Sequence, residues 1–242
     1  MCVLRCLRKE NTLIRRIAAL PMLMILFGIF ALALLDYQTL YQDSARIFYQ
    51  TYGYVQTGSL NLVTAIYLDY RLLDTLFEAG ILLIAVTGVS WIAQHDNVEH
   101  NPLFMLDKFK IPELFVALAR VIYPIVLLFG IYVLFNGHLA PGGGFQGGAI
   151  LATALLILYY IDLKKKTNLQ LIFTIEKWLY ASLIGLSMLS YFTRGEWFTN
   201  FIPLTADPQI RAVFLIVLNL IIGSKVALGL TAIFIAFLKE GR

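Results

Sequence analysis

Four charged residues stand close together at the head of an apolar run: Asp69, Arg71, Asp74 and Glu78. Arg71, Asp74 and Glu78 are spaced by three and four, so a continuous helix puts them on one face. The apolar run continues to near Trp91, which sets Glu78 about one helical turn inside a membrane. A carboxylate at that depth is costly unless it is paired or hydrated, and intramembrane ionisable residues mark ion and proton paths. Glu78 and Asp74 are therefore candidates for proton or cation exchange. The competing reading is an interfacial salt-bridge cluster that anchors the helix end.

Lys225 is the second candidate. It falls near the middle of the last apolar run, too deep to reach either surface by extending its side chain. It must face protein or a water-filled cavity, as a proton-shuttling lysine or as half of an ion pair with a neighbouring polypeptide. Asn219, Ser224 and Thr231 add polarity to the same run, and Gly223 and Gly229 permit close helix contact.

The third is the stretch Asn136-Gly137-His138-Leu139-Ala140-Pro141-Gly142-Gly143-Gly144-Phe145-Gln146-Gly147-Gly148. Pro141 and the glycines end one helix and let backbones approach. A glycine-rich turn before a helix can bind anions, but the Gly-Lys-Ser/Thr ending of a phosphate loop is absent. Tight packing is the alternative use. His138 can titrate near physiological pH or act as a hydrogen-bonding residue at a membrane boundary. Arg120, Glu176 and Lys177 lie in or near apolar runs, with the last two on different helix faces, and acquire no role from the sequence. The chain offers no metal-ligand cluster and no nucleophile triad, so no metal, no bound cofactor and no stand-alone enzyme is expected.

The elements that hold these residues are membrane helices. Apolar runs of about twenty residues match the hydrocarbon thickness. Six are predicted, at 17–35, 74–92, 112–135, 145–162, 169–191 and 210–237, giving an all-α polytopic fold. The first resembles a signal peptide in its flanks, with Arg15 and Arg16 before it, but its apolar stretch is longer than a signal core, which favours a retained helix. The polar segment 96–111 links a two-span module, 1–95, to a four-span module, 112–242. No internal repeat is evident, which argues against an inverted-repeat transporter.

Composition agrees. Of 242 residues, 60% are hydrophobic and 14% charged, against roughly 25% charged in soluble domains. The net charge of +4 comes from basic residues between apolar runs, so it reports orientation and not nucleic-acid binding. Arg5, Arg8, Lys9, Arg15, Arg16, Lys108, Lys110, Lys164, Lys165, Lys166, Lys239 and Arg242 fall on one side of six spans. Arg46, Arg194 and Arg211 fall on the other. The bias predicts both termini in the cytoplasm. Cys2 and Cys6 sit in the basic N-terminal tail without metal-ligand partners.

The segment Phe135 to Gly148 closely resembles the signature of the MnhB-like component of Mrp-type multisubunit sodium/proton antiporters, and the resemblance extends over about Asn101 to Arg242. The stretch Thr57-Gly58-Ser59-Leu60-Asn61-Leu62-Val63-Thr64-Ala65-Ile66-Tyr67-Leu68-Asp69-Tyr70-Arg71, with Asp74-Thr75-Leu76-Phe77-Glu78, is similar to the C-terminal part of the large MnhA-like component of the same antiporters. In membrane-bound hydrogenases and related ferredoxin-linked complexes the same segment is a separate small polypeptide. The chain thus resembles a fusion of two adjacent antiporter modules. The resemblance implies Na+ and H+ as transported ions, a prokaryotic cytoplasmic membrane, and other membrane subunits as obligatory partners. It places Glu78 first on an ion path, with Asp69, Arg71, Asp74 and His138 at matching positions. Lys225 departs from the antiporter pattern, so a free-standing antiporter and a redox-linked relative both stay open. A structural membrane scaffold is the further alternative.

Overall fold

The computed structural model describes residues 21, 24–32, 44–95, 113–161 and 168–240. It divides into two units, Met1–Ala45 and Arg46–Arg242. In the first, 24–32 is helical. The predicted span 17–35, the linker 96–111, Lys164 to Lys166 and both cysteines lie wholly or largely outside the described residues.

The second unit is helical throughout, with no strand among the described residues: α1 (Ser44–Thr57), α2 (Leu62–Ala65), a π turn (Ile66–Tyr70), α3 (Leu72–His95), α4 (Glu113–Asn136), α5 (Gly144–Ile161), α6 (Leu169–Arg194) and α7 (Pro208–Glu240). Five helices are long and apolar enough to cross a membrane: Leu72–Ile92, Glu113–Asn136, Gly144–Ile161, Leu169–Arg194 and Pro208–Phe237. They correspond to the last five predicted spans, and the chain is an all-α polytopic membrane protein.

Local signals fix the helix ends. The Asn61 side chain accepts the Val63 N–H at the start of α2, and Asn168 accepts the Leu171 N–H at the start of α6. Both satisfy donors that a helix N-terminus leaves open. Gly195, at φ 71°, terminates α6 in the left-handed region, with its N–H on the Tyr191 carbonyl. The π turn closes through Arg71 N–H to the Ile66 carbonyl at 2.7 Å, five residues apart. Thr75 donates its hydroxyl to the Tyr67 carbonyl, tying the turn to α3.

Helix α7 is the hub. It packs against α3, α4, α5, α6 and the π turn, and 56% of its apolar window is buried, against 11% for α4. Its inward positions Phe214, Leu215, Leu218, Ile222 and Val226 form the core with Leu68, Leu72, Leu76 and Leu183. Lipid is as apolar as these side chains, so close packing of small residues, not water exclusion, must hold the helices together. The glycines supply that packing. A Cβ on Gly144 would lie 2.8 Å from Ile222, and one on Gly148 would lie 2.7 Å from both the Gly223 carbonyl oxygen and Val226.

Candidate functional site

The deepest charges meet between α6 and α7. Glu176 lies about two turns into α6, and Lys225 lies near the middle of α7. Lys225 Nζ donates to Glu176 Oε1 at 3.1 Å, and both side chains are shut off from the surface at 0% and 1% exposure. Gly229 makes the approach possible: a Cβ there would stand 2.9 Å from Glu176 Oε1. Tyr180, one turn beyond Glu176, sets its ring 5.9 Å from Lys225 Nζ. Its hydroxyl points to the Leu76 carbonyl at 3.4 Å. Two charges in such a place hold each other because neither has bulk water to turn to. The pair is also chemically equivalent to a neutral acid and amine that differ by one proton moved along the hydrogen bond.

A second cluster forms at the opposite ends of these helices. Asp69 is buried in the π turn, where Oδ1 accepts the Asn200 N–H at 2.9 Å and Oδ2 lies 3.8 Å from Arg211 Nη2. Asn200 donates its side-chain amide to the Arg211 carbonyl at 3.1 Å and accepts from Arg194 through its own carbonyl at 3.2 Å. Burial pushes the Asp69 carboxyl up from its ordinary range, against the lowering effect of the Asn200 N–H and Arg211. Arg211 is buried, and its Nε and Nη1 have no hydrogen-bond partner among the described residues.

Asn219 joins the two predicted modules. Its Oδ1 accepts the Tyr67 hydroxyl at 2.9 Å and the Gly144 N–H at 2.8 Å. One α7 side chain thereby holds the π turn and the first turn of α5. The loop before α5 is clasped from its other side. The Gly137 carbonyl accepts from Thr64 at 2.6 Å and from the Asn61 amide at 2.9 Å. The His138 carbonyl accepts from Ser59 at 2.8 Å and from the Asn61 N–H at 3.1 Å, and the Ala140 carbonyl accepts from the Asn61 amide at 2.9 Å. Gly142 and Gly143, at φ 152° and 153°, carry the chain through a conformation that side chains rarely adopt. The motif's carbonyls point at α2, so these contacts use it as a docking loop.

The six sequence candidates therefore separate. Arg71 and Asp74 form an ion pair on the exposed side of α3, and Glu78 is exposed one turn further on. Their shared face is retained although a π turn, not a continuous helix, precedes it. Asp69 turns the other way, to Arg211. Lys225 pairs within the chain, with Glu176. His138 contributes its backbone to the clasp. Its Nδ1 donates to the Phe135 carbonyl at 3.1 Å, and partial burial lowers its pKa. Pro141 is exposed at the loop tip, while Gly143, Gly144, Gly147 and Gly148 are buried and Gly142 half-buried.

Sequence reasoning left Glu176 without a role and treated Arg211 only as a flank charge. The signal for Glu176 was present. Opposite charges inside consecutive spans have few alternatives to each other, and Lys225 needed an acid. No metal-binding cluster occurs among the described residues.

Residues 114–232 match the family described as a domain related to the MnhB subunit of Na+/H+ antiporters. An uncharacterised protein of Methanocaldococcus jannaschii is 33% identical over 40% of this chain and 42% of its own length. A Na+/H+ antiporter component of the same MnhB type from Alkalihalophilus pseudofirmus is 52% identical over 17% of this chain and 29% of its own. A probable K+/H+ antiporter component from Rhizobium meliloti, named there as a combined A/B polypeptide, is 22% identical over 65% of this chain and 17% of its own. The chain thus spans less than half the length of these curated relatives. Among solved structures, a chain of the membrane-bound sulfane sulfur reductase, an archaeal respiratory membrane complex, superposes with a TM-score of 0.65 at 27% identity. That match covers 93% of this chain and 98% of the other. A chain of the Mrp complex from Dietzia sp. superposes with a TM-score of 0.53 at 23% identity over 88% of this chain and 26% of the other, a likeness of fold.

Proposed function

From the premise that residues 114–232 belong to the family of domains related to the MnhB subunit of Na+/H+ antiporters, we propose that this chain is a membrane subunit of a multisubunit cation/proton antiporter complex. The observation that carries the proposal is the Glu176–Lys225 pair, a protonatable acid and base joined at 3.1 Å inside the matched domain. Such a pair can take up or release a proton with a small change in geometry, and its field biases cation occupancy nearby because charges in low dielectric interact strongly.

Asp74 and Glu78 have the complementary part. They lie on an exposed face of α3 with Phe77, Ile81 and Ile84. A carboxylate within a spanning helix does not face lipid at low cost, so this face meets another membrane subunit, and the ion path runs along that contact. Na+ and H+ are the transported ions in this reading, with no cofactor held by the chain. The names of the relatives support a cation/proton pair but differ between Na+ and K+. The location is a prokaryotic cytoplasmic membrane, with both chain ends inside, on the Lys/Arg bias.

The near-complete mutual coverage with the sulfane sulfur reductase chain favours one second reading, the same ion-translocating component in a redox-driven respiratory complex. Polypeptides purified with this chain distinguish the two: cluster-binding cysteine-rich partners belong to the second. The proposal itself is tested by sodium-dependent proton exchange in everted vesicles carrying the whole complex, comparing wild type with Glu176→Gln and Glu78→Gln. Assembly is checked on a native gel. Intact assembly with lost exchange supports it. Intact assembly with normal exchange in both variants leaves a structural scaffold.

A further inference from the structure

The Glu176–Lys225 pair is not sealed on all sides. A cleft of about 420 Å³ opens between the last turns of α3 and the first turns of α6, and Glu176 forms part of its wall. Its other polar lining groups are Thr87, Ser90, Gln170, Thr174 and Lys177. Both walls belong to helix ends on the same side of the bundle, because α3 ends where α6 begins. The volume is far above the roughly 10–15 Å³ that one water requires. Hydroxyl, amide and charged groups make a poor wall for lipid, which offers them no hydrogen bonds.

The hydroxyls are oriented for water. Thr87 and Thr174 donate to the carbonyls one turn back, Leu83 and Gln170, each at 2.8 Å. Their donors are used, and their oxygens remain able to accept. Toward the other membrane face the pair meets packed apolar core, with Leu76, Leu183, Ile222 and Val226 all buried. Polar groups thus lead to Glu176 from one side and stop there.

We infer that this cleft is a water-filled half-channel that connects the Glu176–Lys225 pair to the membrane face at which α6 begins, and to that face alone. It deepens the reading of the pair as the proton-carrying element and rests on it for its purpose, though not for its test. A proton arriving as hydronium in the cleft passes to a Glu176 carboxylate oxygen and leaves a water molecule. The reverse step returns it to the same face. Lys177 at the cleft wall attracts anions and repels cations, so sodium is not expected to enter by this route.

The test is thiol accessibility in the assembled complex. Thr174→Cys on one wall and Ser90→Cys on the other are made with Cys2 and Cys6 replaced by serine, and Trp178→Cys on the exposed side of α6 serves as a position off the cleft. Everted and right-side-out vesicles are treated with a membrane-impermeant, negatively charged methanethiosulfonate. Full labelling after denaturation shows that each cysteine is present. The expected result is rapid labelling at positions 174 and 90 from the α6-start face, at least ten-fold faster than from the opposite face and than at position 178. Labelling at similar rates from both faces overturns the half-channel in favour of a through-path. Labelling only by a neutral, permeant maleimide, or none before denaturation, shows the cleft filled by lipid or protein and also overturns it. Normal exchange in Glu176→Gln would sink the functional reading while leaving the labelling pattern untouched, so the two failures are separable.

Discussion

Lys225 and Glu176 each rely on the other for the one charge partner within reach at the buried junction of α6 and α7, at 3.1 Å. The arrangement predicts an asymmetry between single and double replacement. Lys225→Met leaves a buried carboxylate unpaired, and Glu176→Leu leaves a buried ammonium. Either should cost about 3–5 kcal/mol, whereas the two together should recover most of that loss. Thermal unfolding of the purified complex, followed through its dissociation, reads the stability. Proton exchange should be absent in all three variants. Recovery of exchange along with stability in the double variant would show that the pair is only structural.

Asn219 accepts two hydrogen bonds on one oxygen, from Tyr67 and from Gly144. Each is worth about 0.5–1.5 kcal/mol net. Asn219→Ala should therefore destabilise by about 1–3 kcal/mol and Tyr67→Phe by roughly half as much. In a double-mutant cycle the losses should fall short of additivity, because Tyr67→Phe removes nothing further once the acceptor is gone. Additive losses would mean that the Tyr67 hydroxyl is held elsewhere.

His138 gives a pH dependence with a definite sign. Burial lowers its folded-state pKa below the ordinary value of 6.5, so folding favours the neutral ring. Its contribution is fully present above the unfolded pKa and is lost as pH falls through the lowered folded value. The docking loop should loosen on acidification below about pH 6.5, and His138→Gln should flatten that part of the profile. Hydrogen exchange at Gly137 to Gly144, followed from neutral to mildly acidic pH, measures it. A profile that His138→Gln leaves unchanged would assign the effect to Asp69 or another group.

The spans were legible because lipid imposes a length and a composition that no tertiary contact overrides. Lys225 was legible as a buried charge for the same reason. Its partner was not, since a sequence gives depth along a helix but not rotation about it. Glu176 and the adjacent Lys177 could be told apart only once α6 was seen to turn Glu176 toward Gly229. Asp69 shows a different limit. It shares a short charged segment with Arg71, Asp74 and Glu78, but the π turn inserts one residue per turn, and Asp69 goes to the buried side while the others stay out. Nothing in the local sequence distinguishes that turn from an ordinary helix.

The glycines allow a comparison within one protein. Gly144 and Gly148 face α7, where a Cβ would meet Ile222 at 2.8 Å, and the Gly223 carbonyl oxygen and Val226 at 2.7 Å. Gly88 in α3 and Gly185 in α6 have nothing within 4 Å of a Cβ. Gly144→Ala and Gly148→Ala should each force α5 away from α7 and cost about 1–3 kcal/mol. Gly88→Ala and Gly185→Ala should be neutral or stabilising by up to about 1 kcal/mol, because alanine is the better helix former. The displaced α5 should also pull the Gly144 N–H from Asn219, so the two effects at Gly144 add to a larger loss than at Gly148. Melting of the four single variants in the assembled complex decides it. Equal behaviour of all four would mean that α5 and α7 are not in close contact, and the docking role assigned to the glycine loop would fall with it.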